Sequence, residues 1–189
     1  MITIIKIFID QGHNPEGINA GAEGNGLREQ DVVYQVGVYL ADLLNDNPNF
    51  EAMLSRPQPD SSLGSNTSES LQTRVNMANS WGADWFISIH ANASVNPEAN
   101  GTEAYVYSRS SKAFPLAEDI VEQITKRLGT RDLGVKENPS LYVLRRTQMP
   151  ATLIELAFIS NADDAELLRN NQYMFAYAIY QGILNFFDM

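Results

Sequence analysis

Residues 2–13 read ITIIKIFIDQGH: an apolar, β-branched run over 2–9 that stops at Asp10, with a histidine close behind at 13. A run of that length and composition predicts a buried strand. The pattern returns at DWFISIH (84–90), where an aromatic and β-branched run again ends on a histidine. FEAMLSR (50–56), TEAYVYS (102–108), LYVLR (141–145) and ATLIELAF (151–158) supply four more strands. Apolar residues at helical spacing fall between them. Val32, Val33, Val36, Leu40, Leu43 and Leu44 predict a helix over 29–47 that NDNPN stops. A second helix, 67–81, starts from an Asn66 or Thr67 cap and ends at Gly82. Leu116, Ile120, Val121, Ile124 and Leu128 make a third, ending before Gly129, and the aromatic-rich stretch 163–187 reads as helix packing back on the sheet. Asp10–Arg28 is a long Gly- and Asn-rich loop, and 57–66 is a polar one. Strands alternating with helices predict an α/β fold: a single open, twisted, mostly parallel sheet of about six strands with helices on both faces.

The chain of 189 residues fits one globular domain, 1–189, with no repeat or linker. Lys and Arg total 13 against 23 Asp and Glu, a formal net charge of -10, which disfavours nucleic acid and anionic membrane surfaces as partners. Cysteine is absent, which excludes disulfides and thiolate chemistry and leaves any metal site to His, Asp and Glu. The start, MITIIKIFID, lacks the basic flank and cleavage site of an export signal, and no stretch is apolar enough to span a membrane.

The chain has two histidines, His13 and His90, and both stand where an apolar strand runs out. Ligands bind beyond the carboxyl ends of strands in open α/β sheets, so the two can converge on one crevice. Either alone reads more simply as a residue bonded to nearby backbone; together they point to a metal. A hydrolytic zinc usually takes three protein ligands and keeps a fourth position for water. Glu29 is the best third ligand, although a carboxylate in a first helical turn is also what the helix dipole favours. Glu23 and Asp10 are its rivals, and Asp10 could instead fix an imidazole from the outer shell. Hydrolysis further needs a base, and Glu155 is the one carboxylate in the apolar strand TLIELAF. A salt bridge from Glu155 to Arg145 or Arg146 is the alternative. The glycines at 17, 21, 24 and 26 raise a nucleotide site, but they fit no GxGxxG pattern and no Lys-Ser/Thr follows them.

Five blocks in order, FIDQGH (8–13), GLREQD (26–31), LSR with LQTRVNMAN (54–56 and 71–79), WFISIHANA (85–93) and RRTQMPATLIELAFISN (145–161), resemble the zinc-dependent N-acetylmuramoyl-L-alanine amidases that cut peptidoglycan. The resemblance implies one zinc per chain on His13, Glu29 and His90, Glu155 as the catalytic glutamate, and attack on the amide between the lactyl group of N-acetylmuramic acid and L-alanine. Asn92 and Asn96 after His90, and Arg145 and Arg146 before the last strand, are candidates for the substrate groove. Gln11, Asn14 and Pro15 depart from the family's Pro and Gly residues around the first histidine, and Leu156 and Ala157 from its small residues after the glutamate. The Asn-x-Ser/Thr triplets at 66, 92 and 100 read as chance in a bacterial or phage protein. A zinc carboxypeptidase or deacetylase and an inactive wall-binding domain remain as other readings. The expected setting is the cell wall or extracellular space, or release as a lysin. The expected protein is a monomer, with any targeting module or recruiting partner outside this chain.

Overall fold

The computed structural model describes residues 4–189. Its strands are β1 (Ile5–Gln11), β2 (Glu23–Gly24), β3 (Leu27–Arg28), β4 (Phe50–Leu54), β5 (Trp85–Asn92), β6 (Thr102–Val106), β7 (Asp132–Glu137) and β8 (Ala151–Phe158). The helices are α1 (Glu29–Asn45), α2 (Thr67–Trp81), α3 (Ala113–Leu128), α4 (Tyr142–Arg146), α5 (Ala162–Asn170) and α6 (Gln172–Phe186). Six strands form one open sheet in the order β4-β1-β5-β8-β6-β7. β4, β1, β5 and β8 are parallel; β6 pairs antiparallel with β8 and parallel with β7. The α/β architecture expected from the sequence is therefore present. No helix among the described residues is long and apolar enough to cross a membrane.

Side chains alternate across a strand, and that alternation sorts the sheet's two faces. Ile7 and Ile9, Ile87 and Ile89, and Ile154 and Leu156 face one core with α1, α3 and α6. Phe8, Phe86 and Leu153 face the other with α2 and α4, the two phenyl rings stacked at 5.6 Å. Two residues further along each strand, the second face carries Asp10, Ser88 and Glu155, and His90 follows Ser88. One periodicity thus supplies both a core and, beyond it, a row of polar groups at the strand ends.

The first strand runs two residues past its apolar stretch, to Gln11. Asp10 and Gln11 are buried there with partners: Asp10 pairs with Arg74, and Gln11 accepts from the Arg56 amide and donates to the Tyr34 carbonyl. The expected strand positions 2 and 3 lie outside the described residues. α2 begins as expected, the Asn66 side chain accepting from the Glu69 amide at 2.9 Å while Glu69 reaches back to Ser65.

Three expectations are corrected. LYVLR is no strand: Tyr142–Arg146 is the short helix α4. Leu141, Tyr142, Val143 and Leu144 all join the second core, and a strand would have turned alternate members of that run away from it. The strand missed instead is β7, DLGVKE, an edge strand whose charged, exposed residues leave no apolar run to read. The helical stretch 163–187 breaks at Asn171 into α5 and α6. α6 lies against α1 and α3, and its end meets Trp85 through the rings of Phe186 and Phe187.

The α3–α6 crossing is close enough to need a residue without a side chain. A Cβ on Gly182 would stand 2.6 Å from Ile120 Cα, a backbone atom that cannot move alone. Gly182→Ala is expected to lower stability by about 1–3 kcal/mol, measured by urea denaturation followed through tryptophan fluorescence; an unchanged midpoint would contradict this packing.

Candidate active site

The loop after β1, the first turn of α1 and the end of β5 meet at one point. His13 Nε2 and His90 Nδ1 approach the same oxygen, Glu29 Oε1, at 3.1 and 3.0 Å. The two rings stand edge-on with centroids 4.9 Å apart. One donor atom from each of the three residues lies within 4.8 Å of the other two, a grouping that could hold a metal ion. Glu29 is 4% exposed, and its carboxylate also accepts from the Ala91 amide at 3.0 Å and the Ala22 amide at 2.9 Å. Burial opposes its charge, but hydrogen bonds and charge from both imidazoles outweigh burial and hold the carboxyl well below the usual carboxylate range.

The chemistry of these donors fits a borderline cation such as zinc. His13 Nδ1 lies 3.1 Å from the Asn19 carbonyl. That contact calls for a proton on Nδ1, which leaves the Nε2 lone pair free to ligate, the arrangement usual for a metal-binding imidazole. Two imidazoles and one carboxylate also leave one position open on a four-coordinate ion.

His13 adopts a backbone φ of 67°, in the left-handed region that costs a non-glycine residue free energy. Arg74 holds it there. This side chain, 1% exposed, donates from Nη2 to the His13 carbonyl at 2.5 Å and from Nη1 to Asp10 Oδ1 and the Gln11 carbonyl, both at 2.6 Å. Asp10 Oδ2 accepts from the Ser88 hydroxyl at 2.8 Å. Burial works against the Asp10 charge, and the adjacent guanidinium outweighs it, lowering the carboxyl's pKa. Asp10 therefore acts through Arg74 on the backbone of His13, whereas the sequence suggested contact with an imidazole. Asn14, fully buried, bonds both the amide and the carbonyl of Leu63 at 3.0 Å and so ties the loop to its neighbour.

Glu155 stands beside His90 in the β5–β8 register. It is half-buried, and its Oε2 is buried without a protein hydrogen-bond partner. Burial pushes its carboxyl up to about 7; His90 opposes this, and the Glu29 and Glu103 carboxylates add to it. Among the described residues Glu155 makes no salt bridge, so the pairing with Arg145 or Arg146 is not formed.

A cavity of about 160 Å³ is lined by Gly12, His13, Asn19, Arg74 and His90, together with Leu141 and with Tyr142 and Val143 of α4. The segment expected to be a strand thus lines this cavity as helix. Asn92 turns to Glu103, 2.9 Å away, and exposed Asn96 accepts from the Glu98 amide. Arg145 lines a different cleft, with Tyr107 and Met149, its guanidinium 6.0 Å from the Tyr142 ring, and Arg146 is exposed. Glu23 is exposed and 3.8 Å from Arg28. Two residues went unread in the sequence, Arg74 and Asn19. Arg74 left a signal, a cation on the helical face shared with Leu71, Val75 and Ala78; Asn19, six residues from His13 in a loop, left none.

Comparison with known proteins shows the family to which the chain belongs. A family model described as N-acetylmuramoyl-L-alanine amidase matches residues 7–185, and the chain belongs to that family. N-acetylmuramoyl-L-alanine amidase CwlM of Bacillus licheniformis is 40% identical over 173 residues, covering 90% of this chain and 63% of the relative. LytC of Bacillus subtilis, of the same name, is 40% identical over 185 residues, covering 96% of this chain and 35% of the relative. The chain therefore spans under two thirds of the length of these relatives. The crystal structure of an N-acetylmuramoyl-L-alanine amidase from Clostridium difficile 630 superposes with a TM-score of 0.87 at 30% identity over 98% of both chains.

Two substitutions test how the site is held. A Cβ on Gly12 would fall 2.5 Å from Cε1 of His90, so Gly12→Ala is expected to weaken metal binding by about 10–100-fold in a chelator competition, with the circular dichroism spectrum retained. Arg74→Met leaves Asp10 buried without its cation and is expected to cost about 3–5 kcal/mol in chemical denaturation; a loss below about 1 kcal/mol, the scale of an exposed pair, contradicts its place as the tie between β1 and α2.

Proposed function

We propose that this chain is the catalytic domain of a zinc-dependent N-acetylmuramoyl-L-alanine amidase, with residues 1–189 acting as one unit. Its substrate is peptidoglycan, and the bond hydrolysed joins the lactyl group of N-acetylmuramic acid to the L-alanine of the stem peptide. The observation that carries this reading is the pairing of two unlike sites, joined where His90 of β5 neighbours Glu155 of β8. His13, Glu29 and His90 gather three ligand atoms, and beside them Glu155 keeps one buried oxygen free of any protein partner. Family membership supplies the substrate class.

His13 through Nε2, His90 through Nδ1 and Glu29 through its carboxylate would hold one zinc ion. An ion bound there would supply Lewis acidity, polarising the scissile carbonyl and lowering the pKa of a water towards ~7. Glu155 is the proton carrier: it takes a proton from the attacking water and returns it to the departing amine nitrogen of L-alanine. Its place in a rigid strand, next in register to His90, keeps the carboxylate at a constant position relative to the ligands. Arg74 and Asn19 hold His13 by backbone and ring, so the loop does not have to be ordered by the metal alone. Asn92, Arg145 and Arg146 remain our candidates for contacts with the glycan or the distal peptide, away from the reacting bond. The setting we propose is the cell wall, reached by secretion or by release as a lysin, with the domain acting as a monomer.

Digestion of purified peptidoglycan is expected to release new L-alanine amino termini, identified by mass, and to stop on addition of a chelator. Glu155→Gln is expected to lower turnover by about 10²–10⁴-fold while the protein binds zinc and unfolds at the wild-type temperature. Turnover retained in that variant removes Glu155 from the mechanism, and acetate as the product replaces the amidase by a deacetylase.

A further inference from the structure

The row of polar side chains on the site face does not end at Glu155. Across the antiparallel β6–β8 pair, Glu103 stands directly opposite Glu155, and Lys136 of β7 forms an ion pair with Glu103. Opposed residues of a sheet have Cβ atoms ~5 Å apart. Two carboxylates at that spacing repel, and burying one of them adds desolvation. Glu103 is nonetheless 4% exposed. It is offset by three donors: Asn92 Nδ2 at 2.9 Å, the Tyr105 hydroxyl at 2.6 Å and the Lys136 ammonium.

The outward consequence of this cluster is Lys136. An ammonium has three N–H donors, and Glu103 occupies one. The side chain is 47% exposed, so the others reach solvent. Lysines on edge strands ordinarily swing free, whereas this one is tethered one strand beyond the residue that faces Glu155. The surroundings make a fixed cation consequential. The chain carries a net charge of -10, and Asp10, Glu29, Glu103 and Glu155 crowd the site. An anionic peptide would be repelled there unless a cation received it. Arg74 cannot serve, being 1% exposed with its donors committed to Asp10, Gln11, His13, Asn14, Ser55 and Ser70.

Resting on the amidase reading, we propose that Lys136 determines specificity by receiving a free carboxylate of the stem peptide close to the scissile amide, with Glu103 as the residue that positions it. In this proposal that group belongs to the stem residue following L-alanine. The charge-assisted contact forms with the free acid; an amide there presents no charge and loses it.

Matched muramyl peptides differing only at that carboxyl test this, with kcat/KM read from new L-alanine amino termini. The wild type is expected to prefer the free acid by about tenfold. Lys136→Met is expected to abolish the preference, mainly through KM, and Lys136→Arg to keep most of it; thermal unfolding establishes that both variants fold. A preference equal in wild type and Lys136→Met overturns the proposal, and an equal fall on both substrates marks Lys136 as only the structural counter-ion of Glu103. If the folded, zinc-loaded wild type releases L-alanine termini from neither substrate, the amidase reading fails and this proposal fails with it.

Discussion

The ion pair between Arg74 and Asp10 sits where β1, the loop after it and α2 converge, both side chains removed from water. A buried pair does not stabilise a protein merely by existing, because desolvating two charges offsets most of their attraction. Its return here is positional. Fork-shaped and always charged, the guanidinium can bond a carboxylate, two backbone carbonyls and an amide oxygen at once. It thereby holds His13 in a backbone conformation that this residue would not choose alone. Take the guanidinium away and the imidazole loses its aim, whatever the rest of the sheet does.

From that tie the electrostatics of the site follow in sequence across the sheet. Asp10 is matched by Arg74, Glu29 by two imidazoles and two amides, and Glu103 by Lys136, Tyr105 and Asn92. Glu155 is the exception, flanked by charges and lacking a protein partner for one oxygen. Groups that are fully satisfied hold geometry, and a group left unsatisfied in their midst is where protons can move. The same sheet therefore contains rigid scaffolding and a carboxyl with one unpartnered oxygen, separated by one strand spacing.

Much of this was legible in the linear chain because it is periodic or repeated. ITIIKIFID and DWFISIH both read as buried strands running out near a histidine, and the helix at 67–81 announced its cap and its stop. What escaped was held by long-range partners. LYVLR is apolar for four residues, too short a run to separate helix from strand until the second core claims all four. DLGVKE pairs only along the sheet's edge, so its strand state comes from hydrogen bonds to β6 and from no pattern of its own. Asn171 interrupts a helical stretch that composition alone would have continued.

By itself, then, the sequence determined the alternation of strands and helices, the two faces of each strand, and the placing of two histidines near strand ends and of one glutamate within an apolar strand. Those follow from local sterics and from the period of two, which any chain must obey wherever it folds. Only the tertiary structure decided that Glu29 lies between both imidazoles, that Arg74 rather than Asp10 governs His13, that Asn19 orients its ring, and that Glu103, paired with Lys136, stands opposite Glu155. Each of these is a contact between residues far apart in the chain or in a loop without periodicity. Burial makes such contacts specific, because a charge or a hydrogen bond removed from water demands a partner.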